Sequence, residues 1–267
     1  MATPQAPTAS GCLHPDQIDF FQHSGYLLVK GAIPPSLVEA LRVFTQAQID
    51  NELGTIIWHD RANKVPTRLS FLSERGGAYL DLIRHPCILD PLESLVGPNI
   101  EFCHNRHNHL LFKPPGDNGS IFHRDQAGWS HPVVTVLAYL DDATLENGCL
   151  EIVPGSHRRG VYERMYLPYR PPSRAAPDDP PGLAELTPEE KRLVDQAVPL
   201  LLHAGDLVFM HCCVLHGAPP NVSQGTRRSI QLAYHGSDEL QPADAAVTML
   251  VRGQRKEAKP GYRYKAG

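Results

Sequence analysis

The 267-residue chain contains no C-x-x-C pair, and its six cysteines (Cys12, Cys87, Cys103, Cys149, Cys212, Cys213) follow no regular spacing. That excludes a disulfide framework and a zinc knuckle, and leaves the cysteines to be read as small buried hydrophobes. No run approaches the roughly 18 consecutive apolar residues that a membrane-spanning helix needs, and the opening MATPQAPTASG has neither the basic nor the apolar region of a leader. Neither sign of charge is in excess: 25 Lys plus Arg face 29 Asp plus Glu, with the basic residues in scattered pairs such as Arg158-Arg159 and Arg227-Arg228. This argues against nucleic-acid and anionic-membrane partners. Internal repeats are also missing. The expectation is a soluble, cytoplasmic protein, monomer or homodimer, whose partner is a small molecule.

What is present is enough apolar side chain, 42%, for one sizeable core. Residues 1 to about 12 read as a disordered tail, and 13–267 as a single domain. HPDQIDFFQHSGYLLVKG predicts a helix opened by Pro15 and closed by Gly25, then a strand from Tyr26 to Val29. Ser36 with Glu39 three residues on reads as a capping box, starting a helix with Leu37, Val38, Leu41, Phe44 and Ala47 on its apolar face. Residues 78–96 look helical with a break near Pro86. From residue 100 the texture turns to short β runs: Ile100 to Phe112, Val133 to Leu140, Cys149 to Val153, Leu207 to Met210, Ser229 to Tyr234 and Ala245 to Val251. Residues 161–200 are rich in Pro and Arg and carry a short helix capped by Thr187 and Glu190, a length typical of functional lids or disordered linkers, and read here as a lid. Helices followed by many short strands predict a mainly β sandwich or barrel with flanking N-terminal helices.

Histidine is plentiful, 14 in all, and it is the commonest metal ligand. Two H-x-D triplets occur, and with 16 Asp chance predicts about one. His14-Pro15-Asp16 lies at a helix start, where residues two apart diverge around the axis. His123-Arg124-Asp125 follows an extended run, where residues two apart share a face. Downstream, a hairpin returns Arg227 close to His216, eleven residues earlier. Such a grouping suits a metal with a third nitrogen ligand and a fixed cation for a carboxylate. A surface ion pair, a turn histidine and a solvated arginine would use the same residues.

The runs FHRD, LDDATLENGCLEIVPGSHRRG and GDLVFMHCCVLHGAPPNVSQGTRRSIQLAY, with DQIDFFQHSGYLLVKGAI before them, resemble the phytanoyl-CoA dioxygenase family of iron- and 2-oxoglutarate-dependent oxygenases. The resemblance implies a double-stranded β-helix, or jelly roll, with Fe(II) held by His123, Asp125 and His216, and the distal carboxylate of 2-oxoglutarate taken by Arg227. It also implies cosubstrate-binding roles for Arg68, ahead of the core in a helical region where relatives commonly carry Lys, and for His109. The family often has Ser two residues after the distal histidine, where this chain has Ala218. The aromatic on the strand before the ENG turn falls at Leu137 or, in another register, at Tyr139.

Because Asp125 stands where related halogenases carry a small residue, the resemblance implies hydroxylation or another oxidation that begins with hydrogen abstraction, using O2 and releasing succinate and CO2. A zinc hydrolase or isomerase on a cupin-like barrel would use the same triad but leaves Arg227 unexplained, and a non-catalytic binding module explains neither. His211 is the rival third ligand. His104, His107 and His109 are read along one strand, with His107 and His109 on a shared face, as pocket lining or a satisfied polar wall. Trp129 is a candidate substrate platform or a packing aromatic, and Arg158, Arg159, Arg170 and Arg174 near the lid are read as greeting an anionic substrate or as simply solvated.

Overall fold

The computed structural model describes residues 11–125, 133–158, 166–167, 187–237, 247–255 and 263–264. Trp129, Arg159, Arg170, Arg174 and most of the expected tail lie outside these residues, as does the expected lid apart from 166–167 and 187–200. Helix α1 (Pro15–Ser24) starts at a His14–Gln17 capping box and ends at Gly25 with φ 80°. A left-handed φ of this kind is open to glycine without steric penalty. Strand β1 (Tyr26–Val29) follows. Helix α2 (Pro35–Asp50) begins two residues before the expected capping box: Pro34 is the N-cap and Ser36 lies inside the helix. Pro35 lacks an N–H that the first turn could not use, so the helix starts there without a side-chain cap.

An unanticipated hairpin, β2 (Ile56–Asp60) and β3 (Val65–Ser70), comes next and carries Arg68, which is therefore on a strand and not in a helical region. Helices α3 (Leu72–Arg75), α4 (Gly77–Ile83) and α5 (Pro86–Val96) follow, with the break at Pro86 as expected. The expected strand from Ile100 to Phe112 is two strands, β4 (Ile100–Cys103) and β5 (His109–Lys113), with a turn between them. In that turn His107 has φ 38°, which an extended strand cannot accommodate, so the supposed strand face shared by His107 and His109 does not exist.

The remaining elements are β6 (Ser120–His123), β7 (Val134–Tyr139), β8 (Glu151–Ile152), β9 (Tyr166–Leu167), α6 (Pro188–Val194), β10 (Val198–Pro199), β11 (Leu207–His211), β12 (His216–Ala218), β13 (Arg227–Gly236), β14 (Val247–Arg252) and β15 (Arg263–Tyr264). They form two sheets. The larger runs β1-β11-β7-β13-β4-β14-β15, with β5 also on β13, β3 on β5 and β2 on β3; the smaller runs β10-β8-β12-β6-β9. Pairings are antiparallel except β14 with β15. This is the jelly roll that the motifs imply, buttressed by the N-terminal helices. Among the described residues no helix is long and apolar enough to cross a membrane.

Alternation along the central strands divides the interior in two. On β7, Val134, Val136 and Ala138 join Ile230, Leu232 and Tyr234 of β13 in a cluster with Val38, Leu41, Leu82, Ile88 and Leu92 of the helices. The opposite residues, Leu137 and Tyr139, face the second sheet with Leu150, Ile152 and Met210. Both faces of β7 are thus buried, which is why Val134–Tyr139 is apolar almost throughout instead of alternating. At roughly 25 cal/mol per Å2 of apolar surface, these two layers supply the main drive to fold. The cavity opens on the inter-sheet side.

Candidate active site

The small sheet brings the two histidines together. β6 and β12 pair antiparallel with His123 directly opposite His216, and their rings stand 4.3 Å apart between centroids. Each ring is oriented the same way: His123 Nδ1 donates to Ile121 O at 2.9 Å and His216 Nδ1 to Val214 O at 3.0 Å. A carbonyl only accepts, so both Nδ1 atoms carry protons and both Nε2 atoms turn toward the carboxylate of Asp125. Asp125 lies two residues past His123, just beyond the end of β6. Its Oδ1 is 3.4 Å from His216 Nε2 and 3.9 Å from His123 Nε2. Its Oδ2 accepts a hydrogen bond from Thr135 Oγ1 on β7 at 2.9 Å.

The electrostatics follow from crowding and burial. Burial, and then the neighbouring His216, push His123 down to about 4. Burial weighs most on His216 and would lower it too, but the adjoining Asp125 carboxylate leaves it raised. Asp125 is held well below the ordinary carboxylate range because His216 and His107 outweigh its burial. The site thus keeps a buried anion facing imidazole nitrogens, and it calls for a cation between them.

These groups line one wall of a cavity of about 370 Å3 that also takes in Arg68, Leu137, Tyr139, Ala218 and Arg227. Arg227 begins β13, opposite Lys113 of β5, and is buried; its guanidinium donates to Gly148 O at 3.1 Å and lies 5.5 Å from the centre of the Tyr139 ring. Its Nε is buried with no partner among the described residues. Residues 227, 229 and 231 of β13 alternate onto the cavity side, and Leu137 and Tyr139 do the same on β7. The choice between Leu137 and Tyr139 therefore dissolves: both line the cavity, and Tyr139 is the one packed against Arg227. Arg228, the next residue on the strand, turns the other way, and not into open solvent. It forms a two-pronged ion pair with Asp141 at 2.8 Å on the helix-covered side.

Arg68 and Gln231 belong to a second wall, and His109, not itself a lining residue, joins them in one hydrogen-bonded chain. Arg68 on β3 lies 3.1 Å from His109 Nδ1, and His109 Nε2 lies 2.9 Å from Gln231 Oε1. Arg68 only donates, so His109 is neutral with its proton on Nε2. Burial first, then the charges of His107 and Arg68, hold it down to about 3.

Among the described residues, two clusters have the donor types and spacing to hold a metal: His123/Asp125/His216 and His211/Cys212/Cys213. Only the first lines the cavity. His211 Nδ1 accepts from Cys213 N at 3.1 Å, and its ring packs 4.9 Å from that of His157, so the rival histidine stands apart from Asp125. Sequence reasoning did not single out Thr135 or Gln231. For Gln231 a signal existed, since it lies four residues from Arg227 on the same strand face.

Comparison with known proteins agrees with this architecture. The mouse phytanoyl-CoA dioxygenase domain-containing protein 1 is 36% identical over 124 residues, which span 45% of this chain and 40% of that protein's length. The rat peroxisomal phytanoyl-CoA dioxygenase is 24% identical over 247 residues, 84% of this chain and 68% of the relative. Among solved structures, the non-heme alpha ketoglutarate dependent carbocyclase SnoK from nogalamycin biosynthesis superposes with a TM-score of 0.68 at 23% identity, covering 88% of each chain. The family model described as phytanoyl-CoA dioxygenase (PhyH) matches residues 21–229, most of the sequence, a span that includes Arg68, His109, His123, Asp125, His216 and Arg227, and the chain belongs to that family.

Proposed function

We propose that the chain is an Fe(II)- and 2-oxoglutarate-dependent oxygenase that oxidises a small organic molecule, with hydroxylation its favoured outcome and succinate and CO2 as co-products. The observation that carries this reading is the convergence, in one cavity, of His123, Asp125 and His216 with a buried arginine whose Nε has no partner. The donor set fits the metal: two imidazole nitrogens with their tautomers fixed by carbonyls, plus one carboxylate, is the ligand triad of non-heme Fe(II) oxygenases, and it leaves three of six positions open. The arginine fits the cosubstrate, because a guanidinium pairs two-pronged with a carboxylate.

When bound, iron and 2-oxoglutarate supply an oxidant from O2 by oxidative decarboxylation. The chain's own residues bind, orient and exclude water. His123 and His216 present Nε2 from strands whose register fixes their separation. Arg227 anchors the distal carboxylate, with Tyr139 packed beside it. Arg68 adds a second cation to the wall, held in place by the neutral, oriented imidazole of His109. The zinc hydrolase alternative gives Arg227 nothing to do.

Residues 13–267 are read as one oxygenase domain, with 161–200 as a cover over the cavity. One observation supports the cover: the backbone of β9 extends the small sheet beside β6, with Tyr166 opposite His123. Helix α6 packs elsewhere, Leu193 and Val194 against Phe122 and Leu215, none of which lines the cavity. SnoK is a carbocyclase by its own description. Whether hydrogen abstraction here ends in hydroxylation or ring closure is therefore a matter of substrate placement.

Succinate released from 2-oxoglutarate under air, with Fe(II) and ascorbate, is the test. Release by the wild type and its loss in Asp125→Ala are expected; a protein that turns over with zinc and without O2 would overturn the reading. Coupled succinate release across a panel of candidate small molecules then identifies the substrate.

A further inference from the structure

The carboxylate of Asp125 has a third imidazole beside it. Nε2 of His107 lies 3.2 Å from Asp125 Oδ1, nearer than His216 at 3.4 Å or His123 at 3.9 Å. His107 sits in the turn between β4 and β5 with φ 38°, a left-handed conformation that non-glycine residues rarely adopt and that histidine, asparagine and aspartate tolerate best. The turn is tied down from outside: Asn108 Nδ2 donates to Ser73 Oγ at 2.8 Å and to His104 O at 3.1 Å, and Ser73 N donates back to Asn108 Oδ1 at 3.0 Å. Strain of this kind persists where the surroundings over-determine it, and it gathers at functional sites. Here it aims one side chain. His107 Nδ1 is buried without a partner, so the ring's described polar contact is the one to Asp125.

We infer that His107 is a positioning residue for the metal-binding carboxylate, acting with Thr135 as a two-point clamp; the inference rests on the iron reading proposed above. His107 Nε2–H donates to Oδ1 and Thr135 Oγ1–H donates to Oδ2, so two donors from separate elements fix both the place and the plane of the carboxylate. An ionised carboxylate offers about four lone pairs, and Oδ1 can accept from His107 and still ligate. His107 is not itself a ligand in this scheme. Three imidazoles and a carboxylate would leave two positions of six, too few for a chelating 2-oxo acid and O2. Thr135 and His107 converge from β7 and from the β4–β5 turn, so Asp125, two residues beyond the last regular pair of β6, is held by tertiary contacts where its own strand no longer holds it.

The test is Mn(II) binding to the metal-free protein, followed by EPR, for the wild type and for His107→Asn, Thr135→Val, His107→Asn/Thr135→Val and Asp125→Ala. Asparagine tolerates the left-handed turn but is too short to reach Asp125. Loss of a group that orients a metal ligand typically weakens metal affinity by roughly 10–100-fold. That is the loss expected for His107→Asn and for Thr135→Val, with the double variant falling short of the product because either loss already frees the carboxylate. Pulsed EPR on the Mn(II)-loaded protein should count two coordinated imidazoles in both wild type and His107→Asn. Unchanged affinity in His107→Asn and Thr135→Val overturns the clamp, as does a loss confined to His107→Asn that tracks a drop in its metal-free melting temperature. A count falling from three imidazoles to two overturns it in favour of direct ligation. If Asp125→Ala binds Mn(II) like the wild type, the metal reading itself fails; if Asp125→Ala loses binding and His107→Asn does not, only the clamp does.

Discussion

Arg227 and Arg228 are neighbours on β13 that serve opposite sides of the same sheet: one lines the inter-sheet cavity, the other pairs with Asp141 at 2.8 Å beneath the helical layer. Arg227→Ala should raise the apparent KM for 2-oxoglutarate about a hundredfold or more, since breaking a buried carboxylate pair costs about 3–5 kcal/mol. Arg228→Ala should leave that KM unchanged and lower stability by about 1 kcal/mol, the scale of a partly exposed ion pair. Saturation curves at fixed Fe(II), read beside urea melts, check both, and a cosubstrate effect in Arg228→Ala alone would reverse the assignment.

His216→Ala should abolish succinate formation, while His211→Ala keeps most of it. His211 shares its ring face with His157 and its Nδ1 with Cys213 N, outside the cavity. Losing that hydrogen bond should cost about 1 kcal/mol of stability and little turnover. An inactive His211→Ala with an active His216→Ala would move the third ligand.

Ala218→Ser tests the position where the family often carries a hydroxyl. Ala218 lines the cavity with Arg227 on β12, two residues beyond His216. A new hydroxyl donor to the cosubstrate carboxylate is a hydrogen bond to a charged group, worth about 1.5 kcal/mol, so the KM for 2-oxoglutarate should fall roughly tenfold. A KM that stays the same or rises would place the carboxylate away from β12.

His109 predicts a pH dependence of folding. Its folded value is about 3, set first by burial, while an unfolded histidine titrates near 6.5. Between those values the unfolded chain binds a proton that the folded chain does not, so the stability due to neutral His109 is present above about pH 6.5 and is lost as pH falls toward 3. From pH 7 to pH 5 this amounts to about 2 kcal/mol. Urea unfolding of the metal-free protein should therefore lose about that much more stability over this range in the wild type than in His109→Gln. Equal losses would show that His109 is not held neutral.

The sequence by itself determined the chemistry-bearing residues and much of the local structure. H-x-D at 123–125, His216 with Arg227 eleven residues on, the Gly25 helix stop and the Thr187 cap are local patterns, in which spacing alone decides what adjoins what. Where long-range packing competed with a local signal, only the tertiary structure decided. The α2 start is no such case: Pro34 and Pro35, a second local signal, set it ahead of the Ser36 capping box. The β2–β3 hairpin exists because Ile56 and Trp58 pack on the main core, and it carries Arg68 to His109 across 41 residues of sequence. The run from Ile100 broke at His107 because β4 and β5 pair with different stretches of β13, leaving the residues between them to turn. That turn delivers His107 to Asp125, a contact between a left-handed backbone and a carboxylate beyond its strand that no periodicity in the sequence encodes.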